Sequence, residues 1–215
     1  MADDIQKDAR KTGTATVGIV CKDGIILAAE KRAVLGESYF IASKKMKKIF
    51  EISKGIVVTT AGLVSDIQMM LKIVKAQLRL KELRTKSSTT VKEAANLFGS
   101  IAYQNIRQFS TIPGIVHFLI GGKDANGFSL YEVSFDGTVS EHDDYITSGS
   151  YGSIMAYGIL ENEWNPNITV NQGAELALKV LRTAIKRDAG TGDGIDLVVI
   201  DKNGLEEREE KVAAK

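Results

Sequence analysis

Cysteine and histidine are the scarcest chemistry-bearing residues here. The 215 residues include one cysteine, Cys21, and two histidines, His117 and His142. A single thiol excludes an intrachain disulfide and fits a reducing compartment. Cys21 lies in an alternating apolar run, so it reads as a small core residue rather than a catalytic thiol. No His-Glu-x-x-His and no paired Cys-x-x-Cys occurs, so a metal hydrolase has no ligand pattern to stand on and no metal is expected. The glycine-rich stretches at 149–152 and 190–194 match neither nucleotide-binding fingerprint, which sets aside a nucleotide module. No apolar run reaches membrane-spanning length. Net charge is +1, and no basic stripe with interleaved aromatics points to nucleic acid. The charged stretch Met1 to Lys11 has no apolar centre and is not a secretory signal. It reads as a frayed tail or a removable leader.

What is present suffices for one domain with a substantial core, with 44% hydrophobic residues. Thr14 to Val20 reads as a strand, Lys22-Asp23-Gly24 as a turn and Ile25 to Ala29 as the returning strand. Residues 39–42, 48–52 and 56–60 read as further strands. Leu63, Ile67, Met70, Leu71, Val74, Leu78 and Leu83 fall at helical spacing and predict a helix over 63–84. Thr89 or Thr90, with Glu93 at box spacing, caps a second helix running to about Phe109. After Pro113-Gly114 come strand runs at 115–121, 128–134 and 138–141, separated by Asn126-Gly127 and Asp136-Gly137 turns. Helical patterns follow at 152–163 and 170–188, then a buried strand over 195–200, a turn at Asn203-Gly204 and a charged tail over 206–215. Strand blocks separated by helix pairs predict two sheets packed face to face with helices outside.

Hydrolytic chemistry is hard to build on the histidines. His117 sits in an apolar run and reads as a satisfied sheet residue. His142, in Glu141-His142-Asp143-Asp144, reads as a surface turn. A Ser-His-Asp arrangement is therefore poorly supplied. A threonine hydroxyl needs a base within reach. A threonine at a chain terminus carries one, because its own α-amine has an ordinary pKa near 8 and lies two bonds from Cβ. Thr14 could play this part only if the Gly13–Thr14 bond were cut, and on its local segment alone it reads as an ordinary strand threonine.

Several motifs in order change that weighting. They are Gly13-Thr14-Ala15-Thr16-Val17-Gly18, Asp23-Gly24-Ile25-Ile26-Leu27-Ala28-Ala29-Glu30-Lys31-Arg32, Lys47-Lys48-Ile49, Thr60-Ala61-Gly62-Leu63-Val64-Ser65-Asp66, Ala156-Tyr157-Gly158-Ile159-Leu160-Glu161 and Arg187-Asp188. Over residues 12–205 the chain resembles proteasome β-type subunits of archaeal style, members of the N-terminal-nucleophile hydrolases. The resemblance implies an α+β fold, a four-layer αββα sandwich of two antiparallel sheets flanked by helices, with residues 1–13 as a leader and 14–215 as one domain. It implies a threonine endopeptidase that frees itself at Gly13–Thr14. By position, Thr14 matches the nucleophile, Lys48 the catalytic lysine, Glu30 the acid that holds it, Gly62 the oxyanion glycine, and Asp188 a support for the terminal amine. Lys48 sits in a run with Lys44, Lys45 and Lys47, and strand alternation would turn Lys47 and Lys48 to opposite sides.

The chain departs from the family pattern in places. The supporting serine three after Asp188 is Thr191. In Ser148-Gly149-Ser150-Tyr151-Gly152-Ser153, either Tyr151 stands where the other serine is expected, or an inserted residue restores Ser150. A catalytically inactive or weakly active structural β-type ring subunit that retains its leader is the alternative this leaves open. Val34 replaces a commoner threonine at a place where contact runs through the backbone. Ala33, Met46, Thr60, Val64 and Gln68 are implied to surround the substrate pocket, whose uncharged lining predicts preference for apolar side chains. No cofactor is implied. Implied partners are α-type subunits, other β subunits in heptameric rings, an ATPase ring and polypeptide substrates, in the cytoplasm, without nucleic acid or membrane.

Overall fold

The computed structural model describes residues 14–35, 40–110, 114–149 and 152–212. β1 (Ala15–Cys21) and β2 (Gly24–Glu30) form the expected first hairpin, closed over Cys21↔Gly24. β2 continues across to β11 (Ile195–Asp201), which pairs with β12 (Gly204–Glu210), while β10 (Tyr145–Gly149) lies on the far side of β1. The second sheet is a meander in sequence order: β5 (Ile49–Ser53), β6 (Ile56–Gly62), β7 (Val116–Asp124), β8 (Gly127–Val133) and β9 (Val139–His142). A small ribbon, β3 (Ala33–Leu35) with β4 (Phe40–Ser43), stands apart from both. Every pairing is antiparallel.

Helices α1 (Val64–Thr85) and α2 (Val91–Arg107) cover one outer face, and α3 (Gly152–Glu163) and α4 (Val170–Arg187) the other. Thr90, not Thr89, caps α2: its hydroxyl accepts from Glu93 N while the Glu93 carboxylate accepts from Thr90 N. The same device, Thr169 with Gln172, starts α4.

Three apolar layers follow from strand alternation. Val17, Ile19, Ile26 and Ala28 point to α3 and α4. Val58, Phe118, Ile120 and Tyr131 point to α1 and α2. Ile25, Leu27, Val57, Leu119, Leu130 and Val198 fill the space between the sheets. The αββα sandwich expected from the sequence is thus the observed one. No helix among the described residues is long and apolar enough to cross a membrane.

Four local readings differ. Residues 206–210 are an edge strand rather than a tail, because β12 pairs along its whole length with β11. Glu206, Glu207, Arg208 and Glu209 stay solvent-exposed, which explains why a charged sequence concealed a strand. β10 and the short β3 lacked a clear period and were not anticipated. His117 is not satisfied: its Nδ1 is buried without a hydrogen-bond partner among the described residues, and the ring packs edge-on to Phe135. His142 ends β9 instead of lying in a turn, with Nε2 3.8 Å from Glu132.

Cys21 is 5% exposed within the layer beneath α4, and burial pushes its thiol up to about 12. The thiolate fraction near pH 8 is then about 10⁻⁴. Iodoacetamide should leave the native chain unmodified and add a single carbamidomethyl group only after unfolding, as read by intact mass.

Candidate active site

The β1–β2 and β5–β6 hairpins open at the same end of the sandwich. Thr14 immediately precedes β1, Glu30 ends β2, Lys48 immediately precedes β5, and Gly62 ends β6. Four positions that span almost fifty residues of chain therefore meet in one place.

Their contacts are specific. Lys48 Nζ donates to Thr14 Oγ1 at 3.2 Å, to the Arg32 carbonyl at 2.7 Å and to Glu30 Oε1. An ammonium has three N–H donors, and each finds an acceptor here. Glu30 Oε2 in turn accepts from Arg32 N at 2.7 Å and Gly192 N at 3.1 Å. Glu30 is fully buried, and Thr14 and Lys48 nearly so. Burial pulls the Lys48 ammonium below the usual lysine range, countered by the charges of Glu30 and Asp188. Burial likewise pushes Glu30 up, countered by Lys48 and the two backbone N–H groups. Lys47 turns the other way, into solvent, as the alternation argument expected. Thr60 fixes the Lys48 backbone, donating through N (2.9 Å) and Oγ1 (3.3 Å) to the Lys48 carbonyl.

Gly62 has φ +121°, and a Cβ there would sit 2.2 Å from the Ile115 carbonyl oxygen, so no side chain fits. The conformation takes the chain directly from β6 into α1. Gly149, on the other side of Thr14, is equally constrained: its φ is +128° and a Cβ would meet the Thr14 carbonyl at 1.8 Å.

Asp188 and Thr191 lie at the end of α4. Asp188 Oδ1 accepts from Gly190 N at 2.8 Å, and its charge reaches Lys48. The Thr191 hydroxyl, buried, donates to the Asp188 carbonyl at 3.1 Å. Thr191 thus shapes the turn that presents Asp188. Gly13, Ser150 and Tyr151 lie outside the described residues.

A cavity of about 480 Å³ opens beside Thr14. All six residues expected around a substrate, Ala33, Val34, Met46, Thr60, Val64 and Gln68, line it. So do Phe50, Ile67, Leu71, Lys72 and Lys75, which sequence reasoning had not assigned to the pocket. In the sequence Ile67 and Leu71 mark only the helical period, although they fall at helical spacing from Val64 and Gln68 on the same face of α1. The cavity walls are mainly apolar, with Lys47, Lys48, Lys72 and Lys75 also among the lining residues.

The family described as "Proteasome subunit" matches residues 10–200. Relatives named "Proteasome subunit beta" align over most of both chains. One from Archaeoglobus profundus is 43% identical, covering 95% of this chain and 91% of its own. One from Archaeoglobus fulgidus is 42% identical, covering 89% and 86%, and one from Methanosarcina thermophila is 40% identical, covering 94% and 92%. The chain belongs to the proteasome subunit family.

The buried pair sets a stability expectation. Replacing Glu30 by Gln leaves Lys48 buried without its counter-charge, a loss of about 3–5 kcal/mol near neutral pH. In that variant the folded chain binds a proton on Lys48 less readily than the unfolded chain, so stability rises with pH. Urea unfolding of Glu30→Gln should give a higher midpoint at about pH 9 than at about pH 6. Glu30→Gln combined with Lys48→Met should recover most of the loss.

Proposed function

We propose that this chain is a catalytic β-type subunit of a 20S proteasome, a threonine endopeptidase whose nucleophile is Thr14. The single observation that carries the proposal is the 3.2 Å contact between Lys48 Nζ and Thr14 Oγ1, both buried, at the mouth of an apolar cavity. Family membership and the similarity to archaeal β subunits support it.

Residues 1–13 are a leader removed when Thr14 Oγ1 attacks the Gly13 carbonyl and water completes the cleavage. The new α-amine then serves as base. Thr14 Oγ1 bonds to the scissile carbonyl carbon, and its proton passes to the amine directly or through one water. The Gly62 backbone N–H meets the tetrahedral oxyanion, where the absence of a side chain permits close approach. Collapse breaks the C–N bond, the leaving amine takes the proton, and an ester remains on Thr14. Water, deprotonated by the same amine, hydrolyses the ester and restores the enzyme. The Lys48 charge favours the neutral form of the adjacent amine. Asp188 and Thr191 orient that amine.

The chain works in heptameric β rings stacked on α-type rings and fed by an ATPase ring, in the cytoplasm, on unfolded polypeptides. Apolar residues preceding the scissile bond fill the cavity bounded by Met46, Val64 and Gln68.

Co-expression with an α-type subunit, followed by intact mass and N-terminal sequencing, should find a β chain beginning at Thr14. Thr14→Ala should assemble equally well and lose essentially all peptidase activity. Competent particles containing only the full-length chain would overturn the proposal. In a panel of fluorogenic peptides differing only at that position, leucine or phenylalanine should give the highest kcat/KM, and aspartate the lowest.

A further inference from the structure

The segment from Asp188 to Gly194 has no regular secondary structure, yet it delivers the Gly192 N–H that donates to Glu30 Oε2. Arg32 grips it. Arg32 Nε donates to Asp193 Oδ2 at 2.7 Å and Nη2 to Asp193 Oδ1 at 3.3 Å, a bidentate fork, while Nη1 donates to the Ala189 carbonyl at 2.9 Å. The Lys31 amide adds bonds to the Gly192 and Gly194 carbonyls, at 3.2 and 3.1 Å. Asp193 is held at φ +66°, a left-handed backbone state that a residue with a side chain adopts only when its surroundings hold it there. Its carboxylate is 5% exposed. Charge pairs this enclosed contribute geometry more reliably than stability.

Arg32 also touches both members of the buried pair through its backbone: its N–H donates to Glu30 and its carbonyl accepts from Lys48. One residue therefore holds the loop with its side chain and the pair with its main chain. We propose that Asp193 is a positioning residue for the Thr14 reaction, latching the 188–194 loop through Arg32 onto the Glu30–Lys48 pair. The inference rests on the reading of Thr14 as nucleophile. The charged groups gathered around Thr14 are Lys48, Glu30, Asp188, Arg32 and Asp193. Neutralising Asp193 removes the carboxylate that is hydrogen-bonded to Arg32, leaving only Glu30 and Asp188 to offset the Arg32 charge and making the site more positive by one unit.

The test uses assembled particles carrying Asp193→Asn, confirmed by mass to begin at Thr14 or produced with Thr14 already terminal. The added positive charge lowers the pKa of the proton acceptor at Thr14, so the acidic limb of the kcat profile moves to lower pH. Misplacement of the loop lowers kcat on the order of 10²-fold. KM of Asp193→Asn for an apolar peptide stays near the parent value, because Arg32 lines the cavity but no residue of the 188–194 loop does. Arg32→Gln with Asp193→Asn removes both charges, and the limb returns to the parent position. Arg32→Lys keeps both charges but loses the fork, so kcat falls with the limb in place, and it serves if Asp193→Asn does not assemble. A parent-like limb in Asp193→Asn, or a parent-like kcat in Arg32→Lys, overturns the latch. Thr14→Ala run alongside separates the two levels. Activity surviving it removes the reading of Thr14 itself. An inert Thr14→Ala with an unmoved Asp193→Asn limb removes only the latch.

Discussion

A lysine buried at the open end of a β-sandwich is the constraint around which this molecule is arranged. Lone burial of an ammonium costs several kcal/mol. Lys48 is accommodated because each of its three donors has an acceptor: a carboxylate, a main-chain carbonyl and the Thr14 hydroxyl. Glu30 is accommodated in turn by two backbone amides. None of these groups can be moved singly without leaving another unpaired, so the constellation behaves as a unit.

The scaffold supplies the rigidity such a unit needs. Glu30 is delivered by the first sheet and Lys48 by the second, and the two sheets are locked by a buried apolar layer of Ile25, Leu27, Val57, Leu119, Leu130 and Val198. The first and second hairpins end at the same level, so the polar groups emerge where the apolar layer stops. Gly62 then turns the chain into α1, whose inner face continues as the wall of the cavity. The reactive corner and the apolar pocket are thus two consequences of one strand-to-helix junction.

Much of the architecture was legible from pattern alone. The first hairpin, the two helix pairs, the Thr90–Glu93 capping box and the Asn126-Gly127 turn all rest on interactions between residues a few positions apart, which a sequence displays directly. The edge strand β12 was hidden because charged side chains on an exposed edge erase the apolar alternation that marks a strand. Within the site, Thr14, Glu30, Lys48 and Gly62 were marked only by the order of motifs. Each one alone reads as an ordinary strand or loop residue. The His117 Nδ1, without a hydrogen-bond partner among the described residues, had no signature at all, since satisfaction depends on neighbours supplied by the fold.

The sequence by itself determined most of the elements, though not β3, β10 or β12: the 2.0 and 3.6 periods, the caps and the turns act over short separations and need no tertiary partner. Only the tertiary structure decided which charges meet. Glu30 finds Lys48 across 18 residues, Gly192 across 162, and Arg32 finds Asp193 across 161. Contacts at such separations exist only after two sheets have closed on a common core, and no local propensity encodes them.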